Sequence, residues 1–149
     1  MTTRRHGFSL IEVITTMMIG SILVSIAMPS VTGARGRYAV TGARSTFSAL
    51  HARARAQAIE RGTTVRLVVD AVGDSVSILS GVEVLETVHF GGEMAVDIRM
   101  SSGSLRLCMT ARGYADPDCN SFTTAPNIEF RQATDTASVT LLPLGQLVF

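Results

Sequence analysis

The 149-residue chain contains no lysine: all thirteen of its basic residues are arginine. A phosphate loop of the G-x-x-x-x-G-K type is therefore excluded, and the glycine-bearing stretch ARGRYAVTGAR at 34–44 has no strand before it either. Charge is scarce, at 17% of residues with a net value of +1, which argues against a strongly electrostatic partner. Cysteine occurs twice, at Cys108 and Cys119, and the three histidines His6, His51 and His89 stand at no metal-ligand spacing from them. Serine and threonine are plentiful, yet none sits in a G-x-S-x-G elbow, and neither His51 nor His89 has a spacing that marks a catalytic base. His51 reads as a helix-flank residue and His89 as a strand residue. Asp116-Pro117-Asp118 offers oxygen ligands, but the remaining ligands and the glycine of a calcium loop are missing, so it reads as a turn beside Cys119. No enzyme, metal or cofactor is expected. Internal repeats and low-complexity linkers are also missing.

The chain does have a long apolar run. Phe8 to Met28 is 21 residues, roughly 30 Å as a helix, which matches the hydrocarbon thickness of a bilayer. A secretory signal would have a shorter core and a small-residue cleavage site after it. Here Met28-Pro29-Ser30-Val31 follows the run, and the small residue, Gly7, precedes it. One carboxylate, Glu12, lies inside. A carboxylate at the bilayer centre costs on the order of 2.5–3.5 kcal/mol, so Glu12 either finds a cation or sits shallow enough to reach headgroup water.

Helical periodicity resumes after the segment from Pro29 to Gly36. Val40, Ala43, Phe47, Leu50 and Ala54 recur at spacings of three and four, with Arg37, Arg44 and Arg55 on one flank of that stripe and Arg53 on the other. Pro29 removes a backbone donor, and Gly33, Gly36 and Gly42 weaken the turns that follow, so a bent joint is expected there. Gly62 is a plausible stop. Beyond it the texture changes to period two, in TTVRLVV (63–69), SVSIL (75–79), VEVLETVHF (82–90), VDIRM (96–100) and LRLCM (105–109). Short links at Gly73-Asp74 and Ser80-Gly81 imply an antiparallel meander. The segment 110–127 reads as a loop, and IEF with SVTLLPLGQLVF supplies late strands. The expected class is α+β, a long N-terminal helix covering the apolar face of an antiparallel sheet.

The stretch GFSLIEVITTMMIGSILVSIAMP resembles the N-terminus of type IV prepilins and type II secretion pseudopilins. Two further patches, LHARARAQAIERGTTVRLVV (50–69) and VTLLPLGQL (139–147), are similar to the FimT/GspH group of minor pilins and pseudopilins. The resemblance implies a leader of residues 1–7, removed by a prepilin peptidase between Gly7 and Phe8, and N-methylation of Phe8. It implies that Glu12 pairs with the new N-terminal amine of a neighbouring subunit, and that Pro29 bends the helix. A transmembrane and assembly helix over 8–28 would hold the protein in the bacterial inner membrane by a single pass. A periplasmic domain over 29–149 would include the amphipathic helix to about 61. The positive-inside rule is of little help with orientation, because Arg35 and Arg37 match Arg4 and Arg5. In the orientation of the family, Cys108 and Cys119 meet an oxidising compartment and form one disulfide. The implied role is a non-catalytic subunit that helps initiate or cap a pilus or pseudopilus, with other minor subunits and the major subunit as partners. A second reading is a DNA-binding uptake subunit. It draws on Arg35, Arg37, Arg44, Arg53, Arg55, Arg61 and Arg66, among which Glu60 is the one acid in the local sequence, but the arginines are spread around the stripe and the C-terminal segment LLPLGQLVF carries no charged side chain.

Overall fold

The computed structural model describes residues 9–149, with the backbone alone described over 27–33. Helix α1 runs Leu10–Arg61 and contributes to two compact units, one ending at Arg35 and the other comprising Gly36–Phe149. The expected cleavage site at Gly7 and Phe8 lies outside the described residues, while Pro29, where a bend is expected, falls within α1, whose backbone alone is described there.

In the second unit, α1 buries Val40, Ala43, Phe47, Leu50, Ala54 and Ala58. The alanines keep that stripe low, while Phe47 and Leu50 are its bulky buried side chains. Arg61 lies in the last turn, where a cation complements the helix dipole. Gly62 then adopts φ +63°, and its amide bonds Ile59 O at 3.3 Å. A left-handed residue just past a helix end is most accessible to glycine, so the helix stops there.

Eight strands follow: β1 Val65–Asp70, β2 Ser75–Ser80, β3 Glu83–His89, β4 Asp97–Arg99, β5 Ser104–Met109, β6 Asn127–Gln132, β7 Asp135–Leu141 and β8 Leu147–Val148. The short helix α2, Phe90–Met94, separates β3 from β4. The strands form two four-stranded antiparallel sheets, β3-β2-β1-β5 and β4-β6-β7-β8. The expected meander thus holds only for β1 to β3. The next strand, β4, joins the second sheet, and β5 returns to pair with β1, Val65 opposite Met109 through Asp70 opposite Ser104.

Burial accounts for that departure. Phe90, expected to end the third strand, instead begins α2 and is fully buried. Its ring stacks 5.5 Å from that of Phe130 on β6, which lies 5.7 Å from Phe47 on α1. Three aromatic rings from helix, linker and second sheet thereby meet in one core, together with Leu67, Ile78, Leu107, Val139 and Leu141. Asp74 ties the two sheets together. At φ +44° in the β1–β2 turn, its carbonyl accepts the Phe90 amide and its Oδ1 accepts the Ile98 amide, each at 2.7 Å. Aspartate tolerates this left-handed conformation better than most residues, and its side chain does here what a further strand would otherwise do.

The late segment 138–149, expected as strand, is split. A turn at Pro143–Gly145 separates β7 from β8, with Leu142 N bonded to Gln146 O and Gly145 N to Leu142 O, both at 2.8 Å.

Candidate functional site

In the first unit the described apolar stretch runs from Leu10 to Ile26, and its large apolar side chains face outward, Leu10 with 77% of its surface exposed and Ile26 with 71%. Its hydroxyls do not compete with that apolar character. Thr15 and Thr16 donate to Glu12 O and Val13 O, at 3.0 and 2.9 Å, while Ser21 donates to Met18 O at 2.8 Å and Ser25 to Ser21 O at 2.9 Å. Each of these four hydroxyls is satisfied by the helix's own backbone, as a helix needs where no water is available. Glu12 lies in the first turn, where the amide dipoles favour a negative charge. Among the described residues, no helix is long and apolar enough to cross a membrane; the run expected to do so, Phe8 to Met28, begins outside them and ends where the backbone alone is described.

In the second unit the arginines acquire partners that are remote in sequence. Arg53 and Arg61 bridge from one flank of α1 to Glu86 and Glu83 of β3, the latter at 3.2 Å. On the other flank Arg37 stands 3.7 Å from Asp135 and Arg44 lies over the Phe149 ring, 5.3 Å from its centroid. Arg66 donates to Gly81 O. These arginines are spread over both flanks of the helix and the neighbouring strands, and three of them face carboxylates. A shallow cavity of about 340 Å³ lies between Thr41, Arg44, Ser45, Ser48 and Phe149. A second, of about 470 Å³, is lined by hydroxyls and amides of 101–102 and 120–127.

His51 is not a flank residue: with 8% of its surface exposed, it continues the buried stripe. Its position was available in the pattern, since 47, 51, 54 and 58 are spaced four, three and four. The ring Nε2 lies 2.9 Å from Gly145 O. A carbonyl oxygen only accepts, so Nε2 carries the proton. Burial pushes the imidazole pKa below its ordinary value against the opposing effect of the Gly145 bond, and nearby Arg55 lowers it further. His51 is therefore a neutral structural donor. His89 is exposed at the end of β3 and N-caps α2 without a side-chain bond. Asp116 and Asp118 form a turn in which the Asp118 amide bonds Asp116 Oδ1 at 3.1 Å. Among the described residues no group of three or more His, Cys, Asp or Glu side chains is placed to hold a metal ion.

Cys108 and Cys119 form a disulfide, with their Cα atoms 5.8 Å apart. Cys108 lies on β5 and is fully buried. Asn120, which no motif or spacing marks, joins this loop to its surroundings. Its Oδ1 accepts the Cys108 amide at 2.9 Å, and its Nδ2 donates to Pro143 O at 3.0 Å.

Residues 2–28 match the prokaryotic N-terminal methylation motif. The structure is similar to two crystal forms of the Pseudomonas aeruginosa (strain PAO1) type IV minor pilin FimU. One superposes with a TM-score of 0.57 at 16% identity, covering 76% of this chain and 89% of that one. The other gives a TM-score of 0.53 at 16% identity, covering 72% and 90%. The fold is type IV pilin-like. No curated protein matches this pilin-like sequence significantly. At 16% identity the likeness to FimU is one of fold: an N-terminal helix packed on antiparallel sheet.

Proposed function

We propose that this pilin-like chain is a minor pilin or pseudopilin, a non-catalytic subunit that helps initiate or cap a short filament. The observation that carries the reading is the methylation motif over residues 2–28 at the start of a helix whose second half packs on a pilin-like sheet domain. In this reading the prepilin peptidase cleaves between Gly7 and Phe8, Phe8 is N-methylated, and the run to Met28 anchors the protein in the inner membrane with its globular domain outside the cytoplasm. Glu12 then meets the new N-terminal amine of an adjacent subunit. That amine, with a reference pKa of about 7.7–8.0, is largely a cation at neutral pH. An ion pair of this kind need not add stability; its use is to set register between packed helices.

The outward apolar side chains from Leu10 to Ile26 support packing among like helices, because their burial in a filament removes them from water after extraction. Within lipid the same surface gives little drive to associate, so packing and the Glu12 pair set the contact.

Mass spectrometry of filament-associated protein tests the reading. The expected N-terminal peptide begins with N-methylated Phe8, and an intact leader in assembled material overturns it. The Glu12→Ala variant is expected to be cleaved normally and to enter filaments poorly; incorporation at the normal rate removes the ion pair from the account.

A further inference from the structure

The turn at Pro143–Gly145 is held by its own backbone. Its three successive carbonyls accept hydrogen bonds from three places: Pro143 O from Asn120 Nδ2 at 3.0 Å, Leu144 O from the Ala115 amide at 3.2 Å, and Gly145 O from His51 Nε2 at 2.9 Å. Two of those donors lie in or directly beside the loop that the disulfide closes. Ala115 lies within the loop that Cys108 and Cys119 close, and Asn120 follows Cys119 directly. The loop is fixed against β5 by the Cys108 amide on Asn120 Oδ1 and by the Asp116 amide on Cys108 O, both at 2.9 Å. The seat is also tight. Gly145 has φ +82°, and a Cβ there would stand 2.9 Å from Ala115 Cβ and 3.3 Å from its amide nitrogen.

We propose that the Cys108–Cys119 disulfide is a redox-set latch: it holds the 109–120 loop in the form that seats the Pro143–Gly145 turn against His51 of α1, and its reduction releases that turn together with β8. The covalent step is thiol–disulfide exchange. On closing, the two thiols give two electrons and two protons to a disulfide donor, which leaves as a dithiol, and the Sγ–Sγ bond forms. On opening, a dithiol reductant supplies the same electrons and protons and is itself oxidised to a disulfide. The asymmetry of the fold confines the release. β8 has two paired positions, Thr140 opposite Val148 and Leu141 opposite Leu147, whereas β1 is paired at six positions on each side and buries Val65, Leu67 and Val69. A short edge strand whose turn has lost its donors opens locally, while a central strand opens only with the whole domain.

Amide hydrogen exchange by NMR on the full chain in detergent micelles, with and without dithiothreitol, tests this. On reduction, exchange at the Ala115, Leu142 and Gly145 amides is expected to accelerate at least about tenfold, while the Leu67 and Val69 amides change by less than about twofold. The Asn120→Ala variant, with its disulfide intact, is expected to accelerate the Leu142 and Gly145 amides by a smaller factor, since one of three holders is lost. Unchanged exchange at the turn after reduction overturns the latch, as does unchanged exchange there in Asn120→Ala. Equal loss of protection in β1 overturns it too, because the disulfide would then be a staple of the whole domain.

Discussion

Two glycines and one histidine carry opposite expectations at the scale of single residues. Gly42 lies in α1 with open space where a Cβ would go, so Gly42→Ala is expected to raise the unfolding free energy by about 0.8–1 kcal/mol, the helix-propensity difference. Gly145 has the reverse environment, a left-handed backbone with Ala115 directly against the missing Cβ. Gly145→Ala is expected to cost roughly 2–4 kcal/mol, from the conformation and from overpacking together. Chemical denaturation of the two variants measures both. His51 sets a pH dependence. Its folded pKa is below the ordinary value near 6.5, so the unfolded chain binds the proton more readily. Its contribution to stability is complete above that value and is lost as the pH falls from there through the lower folded pKa. The melting temperature is expected to drop across that window, and His51→Gln to flatten the drop. A slope unchanged in the variant would assign it to other groups.

Between elements, α1 is joined to β3 by Arg53 with Glu86 and Arg61 with Glu83. All four side chains keep substantial contact with solvent, so geometry and not strength is what these pairs supply. A double-mutant cycle on Arg53→Ala and Glu86→Ala is expected to return a coupling of about 0.2–1 kcal/mol that falls with added salt. A larger, salt-insensitive value would mean that the pair is effectively buried. The same pairs give β3 charged side chains at the edge of its sheet, where the register shift at Ile78/Leu79 adds an irregularity. Both features discourage pairing of that edge with another chain.

For the whole molecule, the second unit has its own core, in which α1, both sheets and α2 each contribute buried residues. A fragment beginning at Tyr38 is expected to fold cooperatively by circular dichroism, to sediment as a monomer, and to bind DNA weakly at physiological salt. Weak DNA binding is expected because Arg53 and Arg61 face carboxylates and Arg44 lies over the Phe149 ring, so few of the fragment's helix arginines are left to gather the basic footprint that phosphates require. Tight, salt-dependent binding that is abolished by replacing Arg53 and Arg55 with alanine would instead favour an uptake role.

What the sequence determined by itself is whatever depends on near neighbours along the chain. The stripe from Val40 to Ala54 appears as a buried helix face, Gly62 as its end, and the alternation in Val65, Leu67 and Val69 as a strand with one buried side, because spacings of three, four and two are set by local backbone geometry. The methylation motif over 2–28 is legible for the same reason, being contiguous. Tertiary structure alone decided how the strands divide into two sheets, since one compact core had to receive Phe47, Phe90 and Phe130 from three distant segments. It also decided which carboxylates meet the arginines, and it drew His51, Ala115 and Asn120 onto three consecutive carbonyls of one turn. A hydrogen bond between residues 94 apart leaves no periodic trace in either segment, because its partners are brought together by the packing of everything between them.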